Sequence, residues 1–306
     1  MANIDPQVPW TEEQWARVGQ AVQKEAARSR VAASFLPLIG PLPPDTDFIK
    51  SGELKYAPDP PPPAGAPPDW QTMLVDDRST IQLTTLQVRV QLRGAQMADP
   101  NLTSALEMFR RAANVLARLE DAVVFRGQKG ANEGPPPDAI KGLPAIWKAT
   151  GGQESGGLFH PSHKGHKDLQ GEGLGQQLVE AVSERIGKLE AKGHFGPFAV
   201  VLGENLFADA QTPTGSLVLP SDRIIPFLGG GPLLRSSTLD TNRGLVIALG
   251  ASPVELVIAT DVSVGFLQVT TDPHYVFRVY EKIALRIKEA DAIERLTRKS
   301  PSAAQS

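Results

Sequence analysis

The last third of the chain, residues 245–287, carries the pattern that most constrains its fold. Three apolar runs occupy it: LVIAL (245–249), VELVIATDVSVGFLQV (254–269) and YVFRVYEKIALRI (275–287). Apolar residues in these runs alternate with polar ones or follow one another without interruption, which is typical of β-strands. Their few charged residues are scattered singly and form no reactive cluster. A chain whose clearest pattern is a sheet favours a structural, self-assembling role over an enzymatic one.

Composition narrows the class of protein. With 306 residues, 41% of them hydrophobic, the chain can bury the core of one large domain or two small ones. A net charge of −3 gives no reason to expect nucleic acid as a partner. The absence of cysteine excludes disulfides and thiolate chemistry and fits a reducing compartment. The start, MANIDPQVPW, does not resemble a secretory signal, and no run of about 18 apolar residues could span a bilayer.

The first predicted helix covers residues 11–30. Thr11 is a suitable N-cap, and Trp15, Val18 and Val22 recur at helical spacing as one narrow apolar stripe. A stripe this narrow suits docking onto a surface better than burial in a core. The simpler alternative, packing on the parent domain, is the usual interpretation.

Two further helices are predicted, at 99–127 and 174–193. Pro100 is placed at the first helical position of the longer one, which is long enough to be the spine of a domain. A buried strand at 197–203 follows the other helix directly, whereas residues 143–175 are rich in glycine and are predicted to be irregular.

Residues 47–58 and 79–93 are predicted to form a long two-stranded arm. Between them, Pro60–Pro63 favours a stiff, projecting tip, and recruitment of a proline-binding module is the alternative. An isolated two-stranded ribbon is marginally stable in water, so we expect the arm to lie on a neighbour.

Three histidines are the best candidates for a metal site. His160, His163 and His166 could converge on Zn²⁺ or Ni²⁺ if their loop curled, but the loop lacks rigid support, so we expect a solvated loop without metal.

Two other motifs are interpreted as structural. GEGLGQ (171–176) precedes a helix but lacks the context of a dinucleotide-binding loop, so it is interpreted as a hinge. Glu120 and Asp121 are adjacent on a helix and point about 100° apart, so they favour structural pairing over joint catalysis.

Several short sequence motifs occur in an order that matches a known family. The chain resembles the encapsulin nanocompartment shell proteins (the linocin/culture-filtrate-protein family), which share the fold of HK97-type phage capsid proteins. The resemblance covers roughly residues 10–296. The matching motifs are ARLEDAVVFRG (117–127), IKGL (140–143), KGHFGPFAVVLGENLF (192–207) and the two long apolar runs at 254–269 and 275–287.

This resemblance implies an α+β, HK97 phage capsid-like fold with a peripheral domain, an axial domain and an extended E-loop. The implied divisions are an N-terminal helix and arm (1–46), the E-loop (47–94), the peripheral domain (95–203 and 245–296), the axial domain (204–244) and a flexible tail (297–306).

The resemblance also implies a function. The chain would be a non-enzymatic, cytoplasmic shell protein of sixty copies or a quasi-equivalent multiple, enclosing a ferritin-like or dye-decolourising peroxidase cargo. The cargo's targeting peptide would bind beside Trp15, Val18 and Val22. The five-fold pore would be lined by Asp209, Gln211, Thr212, Pro213 and Thr214. No cofactor is expected, because the stretch VQLRGAQM lacks the aromatic residue through which some relatives bind flavin; neither nucleic acid nor membrane is an expected partner.

Two alternatives remain at this point. A phage major capsid protein would share the fold, although it usually begins with a cleavable scaffold or a different arm. A hydrolase or bacteriocin is the other alternative, and no nucleophile–base motif in the sequence supports it.

Overall fold

The computed structural model describes residues 7–58, 71–127, 146–152, 157–159, 165–213 and 218–299. The helices in these ranges are α1 (Glu12–Ser29), α2 (Ala32–Phe35), α3 (Gly94–Met97), α4 (Thr103–Arg126), α5 (Leu174–Ala191), α6 (Glu204–Gln211) and α7 (Pro220–Ile224). The strands are β1 (Leu38–Ile39), β2 (Phe48–Lys50), β3 (Glu53–Pro58), β4 (Gln71–Asp76), β5 (Thr80–Gln82), β6 (Thr84–Arg93), β7 (Trp147–Gly151), β8 (Gly165–Leu169), β9 (Phe198–Leu202), β10 (Leu233–Arg235), β11 (Arg243–Ala248), β12 (Val254–Val269), β13 (His274–Ile287) and β14 (Ile293–Arg298).

The first sheet has five strands in the order β1-β12-β13-β6-β7. Its centre is antiparallel, because β13 pairs with β12 on one side and with β6 on the other. In β6 the residues that alternate toward the core are Leu86, Val88, Val90 and Leu92, and this confirms the predicted half-exposed strand.

The second sheet has the order β10-β9-β11-β14-β8, and its strands β9 and β11 are buried on both faces. Along β9, Val200 faces one core and Val201 faces the other. The prediction that the apolar runs form one final sheet is wrong for the first of them. That run, at 245–249, belongs to the second sheet because β11 pairs with β9 and β14.

The spine helix α4 begins at Thr103, three residues later than Pro100. Asp99 accepts hydrogen bonds from the backbone N–H groups of Asn101 (2.9 Å) and Thr103 (2.8 Å), and Leu102 adopts a left-handed conformation with φ 53°. Pro100 therefore lies in the capping turn. The predicted end of the helix at Gly127 is confirmed.

The predicted arm is shorter than its sequence boundaries. Its two described ladders pair β2 with β5 and β3 with β4, and the arm ends at Gln82 because β6 enters the first sheet. The N–H of Leu54 donates to the carbonyl of Lys288 at 2.9 Å and attaches the base of the arm to the end of β13. The Pro60–Pro63 tip lies outside the described residues.

Two cores lie in the described part of the chain. One core lies between the first sheet, α1 and α4, and the other lies between the second sheet and α5, α6 and α7. In the second core, α6 and α7 of the predicted axial segment (204–244) pack with α5 of the predicted peripheral segment, and β10 of the axial segment pairs with β9. Residues 143–175 also contain β7 and β8, which the sequence prediction missed.

Candidate functional site

The first helix begins at a complete capping box. The Thr11 side chain accepts from the Gln14 N–H at 3.2 Å, and the Gln14 side chain accepts from the Thr11 N–H at 2.9 Å. The predicted start of α1 is thereby confirmed, and its apolar stripe is aimed at the body of the protein.

That stripe lies in the core. Trp15 is 2% exposed, and Val18 and Val22 are fully buried. Trp10 stacks on Phe277 with ring centroids 5.0 Å apart, and Trp15 meets the same ring edge-on at 6.0 Å. The simpler alternative, packing on the parent domain, therefore describes the stripe, and none of its three side chains presents a surface to a peptide in this conformation.

A partly open apolar surface lies at the edge of this aromatic cluster. Phe266 of β12 contacts Phe277 edge-on at 5.5 Å and Tyr275 at 6.5 Å. Phe266, Tyr275 and Val264 are only partly buried and pack against the first core. They extend the apolar surface beside α1 beyond the residues that the sequence singled out.

Arg30, the residue that follows the end of α1, is held by an acidic cluster. Arg30 lies 3.5 Å from Glu120 of α4 and 3.0 Å from Asp261 of β12. The buried Asp121 carboxylate accepts from the N–H groups of Val31 (3.0 Å) and Ala32 (2.7 Å) and so caps α2. The sequence-based interpretation of Glu120 and Asp121 as structural is consistent with these contacts.

Glu281 of β13 completes the cluster and was missed by the sequence analysis. Its carboxyl and that of Glu120 are fully buried, and none of their oxygens receives a hydrogen bond from the described residues. Burial without donors favours a state in which this carboxyl pair keeps a proton. Burial raises the pKa of both, that of Glu281 to about 7, against the attraction of Arg30. The sequence signal that could have revealed it is a charged residue on the same face of the strand as the inward-facing Phe277 and Ile283.

The predicted pore segment begins in the last turn of α6 and continues beyond the end of that helix. Gln211, Thr212 and Pro213 are exposed, whereas Thr214 lies outside the described residues. Asp209 points instead toward β14, where its carboxylate lies 3.3 Å from the Arg298 guanidinium. Burial raises the pKa of Asp209 against the opposing attraction of Arg298.

The glycine loop at 171–176 borders the same segment, and the two line an open groove of about 680 Å³. Residues 143–175 were predicted to be irregular, but a strand precedes this loop, because β8 ends at Leu169. Gly171 and Gly173 have φ values of 83° and 69°, so each takes up a conformation that favours glycine. The Gln177 side chain donates to the Glu172 carbonyl at 2.7 Å and closes the turn.

Of the three histidines considered for a metal, only His166 lies within the described residues. It is on β8, and its Nε2 is 2.6 Å from Asp168 Oδ1. His160 and His163 fall outside the described ranges.

The two-stranded arm carries an exposed apolar face. Tyr56 pairs with Met73 and Leu54 with Val75, so these four side chains share one face. Tyr56 and Met73 are 66% and 62% exposed. The opposite face carries an ion pair between Lys55 and Asp76 at 2.6 Å. Among the described residues, no helix combines the length and apolarity needed to cross a membrane.

A family model described as "Encapsulating protein for peroxidase" (Linocin M18) matches residues 5–134 and 145–284. The chain belongs to the encapsulin family. It is 28% identical over 300 residues to the type 1 encapsulin shell protein EncA of Myxococcus xanthus, and the match covers 93% of this chain and 92% of that protein.

Solved structures show the fold of this shell protein. It resembles the virus-like particle of Pyrococcus furiosus with a TM-score of 0.62 and 14% identity, covering 92% of this chain and 98% of that one. It also resembles the capsid of Myoviridae phage XM1 with a TM-score of 0.57 and 14% identity, covering 86% and 90% of the two chains. The predicted HK97-type, α+β fold is confirmed.

Glu281→Gln is expected to stabilise the shell protein at high pH. A carboxyl with a raised pKa keeps its proton in the folded state where the unfolded chain has released it, so the free energy of unfolding falls as the pH rises from 4.5 to about 7. A neutral amide removes this loss and can donate to Glu120. We expect a gain of roughly 2 kcal/mol at about pH 8 and a flatter pH profile, measured by thermal unfolding of the assembled particle.

Glu255→Gln is the matched control in the same sheet. Burial acts to raise the pKa of Glu255, but hydrogen bonds from Lys288 (2.6 Å) and Arg286 (2.8 Å) outweigh it and hold the pKa below its ordinary value. This variant should lose stability near neutral pH. A Glu281→Gln particle that is less stable than wild type at about pH 8, with the full pH dependence retained, would contradict the interpretation that burial keeps a proton on this carboxyl pair.

Proposed function

We propose that this chain assembles into a closed icosahedral shell of sixty copies, or a quasi-equivalent multiple, that encloses a cargo enzyme in the cytoplasm and has no catalytic activity of its own. Membership of the encapsulin family carries this proposal. The exposed apolar face of the arm supports it, because a two-stranded ribbon with such a face needs a neighbour to cover it.

The family description names a peroxidase, which supports a dye-decolourising peroxidase as the cargo. A ferritin-like protein is the other class that we expect. A phage capsid role is disfavoured because the family match is to encapsulating proteins over both halves of the chain, although the fold is shared. None of the contacts among the described residues favours a hydrolase or a bacteriocin.

We expect the arm to dock through the face that carries Tyr56 and Met73. Each large apolar side chain that is buried on assembly contributes roughly 1.5–3 kcal/mol, and a shell repeats the contact in every copy. Tyr56→Lys combined with Met73→Lys should therefore leave the subunit folded and reduce the fraction in particles at least about tenfold. Mass photometry measures this fraction. Lys55→Gln, on the opposite face of the arm, is the control and should assemble normally; normal assembly of the double variant would refute the proposed contact.

The cargo peptide is proposed to bind beside α1, on the partly buried side chains of Val264, Phe266 and Tyr275. The side chains of the α1 stripe that the sequence singled out are buried between the helix and the core. A charge at Val18 or Val22 would therefore disrupt the core and could not test peptide docking. A peptide with a few apolar residues would gain roughly 1.5–3 kcal/mol for each buried side chain before ordering costs, and many copies in one shell would make loading efficient.

Phe266→Ala combined with Tyr275→Ala should give intact shells with at least about tenfold less native cargo, because the peptide loses two aromatic contacts. The cargo-to-shell ratio of co-expressed, purified particles measures the effect. Leu267→Ala is the control, since Leu267 is exposed and lies outside the aromatic cluster. A wild-type loading ratio in the double variant would show that cargo binds elsewhere.

The segment of residues 209–214 is proposed to line the five-fold pore. Because Asp209 faces Arg298, the exposed rim at Gln211, Thr212 and Pro213 carries no formal charge, which would make the pore weakly selective.

Thr212→Lys should speed the entry of small anions into the shell, and Thr212→Asp should slow it, because a charge at a narrow opening changes the local ion concentration. Stopped-flow quenching of an enclosed fluorophore by iodide measures the rate. Glu204→Gln, at the other end of α6, is the control. Equal entry rates for the two Thr212 variants would exclude the pore assignment.

A further inference from the structure

A group of three potential metal ligands lies where the two sheets are joined. His194 follows α5 in the turn that leads to β9, and Glu289 and Asp291 belong to the link between β13 and β14. His194 Nε2 is 2.9 Å from Asp291 Oδ1, and His194 Nδ1 is 3.9 Å from Glu289 Oε2. One ligand atom from each of the three side chains lies within 4.8 Å of the other two.

The backbone holds these ligands in place. The N–H of His194 donates to the Leu189 carbonyl at 2.9 Å, so the turn at the end of α5 positions the imidazole. In the link, the N–H of Lys288 donates to the Pro253 carbonyl at 2.8 Å, and the N–H of Ala292 donates to the Glu289 carbonyl at 3.3 Å. Ligands on such anchored segments lose little conformational entropy on binding an ion.

Lys192 is the cation beside these ligands. Its ammonium group forms an ion pair with Glu294 at 2.7 Å and donates to the backbone carbonyl of Asp291 at 3.4 Å. Among the described residues, no lysine or arginine forms an ion pair with the carboxylate of Glu289 or Asp291, and both carboxylates pair with the imidazole of His194. His194 is mostly buried, whereas Asp291 is 61% exposed, which leaves a route for an ion from solvent.

We propose that His194, Glu289 and Asp291 bind one divalent transition-metal ion. Metal–ligand bonds of about 2.0–2.2 Å place neighbouring ligand atoms roughly 3–3.5 Å apart. The 2.9 Å separation of His194 Nε2 and Asp291 Oδ1 is close to this spacing, so the ion would bind to Nε2. The partly exposed Glu289 side chain lies 3.9 Å from the other ring nitrogen, Nδ1, and would rotate to bring an oxygen to the same ion. One nitrogen and two oxygen ligands suit Zn²⁺ and Mn²⁺, and the usual order of affinities predicts that Zn²⁺ binds more tightly.

Such an ion would tie the link between the sheets to the turn after α5. It would thereby stiffen the junction between the two cores of the subunit, a role independent of cargo binding.

Isothermal titration of assembled, EDTA-treated, full-length particles with Zn²⁺ tests the proposal. We expect one Zn²⁺ per subunit and weaker binding of Mn²⁺. The affinity should fall at least about tenfold in His194→Ala, Glu289→Gln and Asp291→Asn. Added Zn²⁺ should raise the melting temperature of wild-type particles but not that of these variants. Asp291→Asn keeps the test valid if His194→Ala fails to fold, because Asp291 is on the surface.

Two matched controls separate this site from other histidines. His274→Ala removes a histidine whose Nδ1 lies 3.5 Å from a single carboxylate, that of Asp272, and His166→Ala removes the histidine beside Asp168. Both should keep the wild-type stoichiometry and affinity. Lack of saturable Zn²⁺ binding up to about 1 mM would show that the three groups form an ion pair only and would overturn the proposal. Binding that His194→Ala and Asp291→Asn leave unchanged would overturn it as well.

Discussion

The antiparallel ladder between β12 and β13 is the interaction on which the rest of the structure depends. Phe277, at its centre, is fully buried and touches Trp10 of the N-terminal segment and Phe109 of the spine helix. One sheet face therefore holds both helices. At the end of β13, the Lys288 carbonyl accepts from the base of the arm. The same region continues into the link to the second sheet, so displacement of this ladder would move the arm, the first helix and the sheet junction together.

Two carboxylates on this ladder show how position changes the role of one residue type. Glu255 lies opposite Arg286 in the strand register. The charged hydrogen bonds that Glu255 accepts offset the cost of burying its carboxylate. Glu281 faces the interior, where it is fully buried near Glu120 and Arg30 attracts both carboxyl groups. The first arrangement stabilises the fold at neutral pH, and the second makes the attachment of the N-terminal segment sensitive to protons.

Features with a local signal were predicted well. The capping box at Thr11, the end of α4 at Gly127, and the alternation of β6 each depend on residues a few positions apart. The start of α4 was misplaced because Asp99, rather than Pro100, determines the cap. The strands β7 and β8 were missed because short, glycine-containing edge strands have little periodicity, and only pairing with β6 and β14 defines them.

The sequence by itself determined the three long helices, the long strands, the presence of a two-stranded arm and, through the order of its motifs, the family. Tertiary structure alone decided which strands share a sheet, because pairing depends on contacts between distant segments, such as β9 with β11. It also decided exposure. The spacing of Trp15, Val18 and Val22 defines one face of a helix in any context, but only the packed neighbours determine that this face is covered and that Phe266 lies at its open edge.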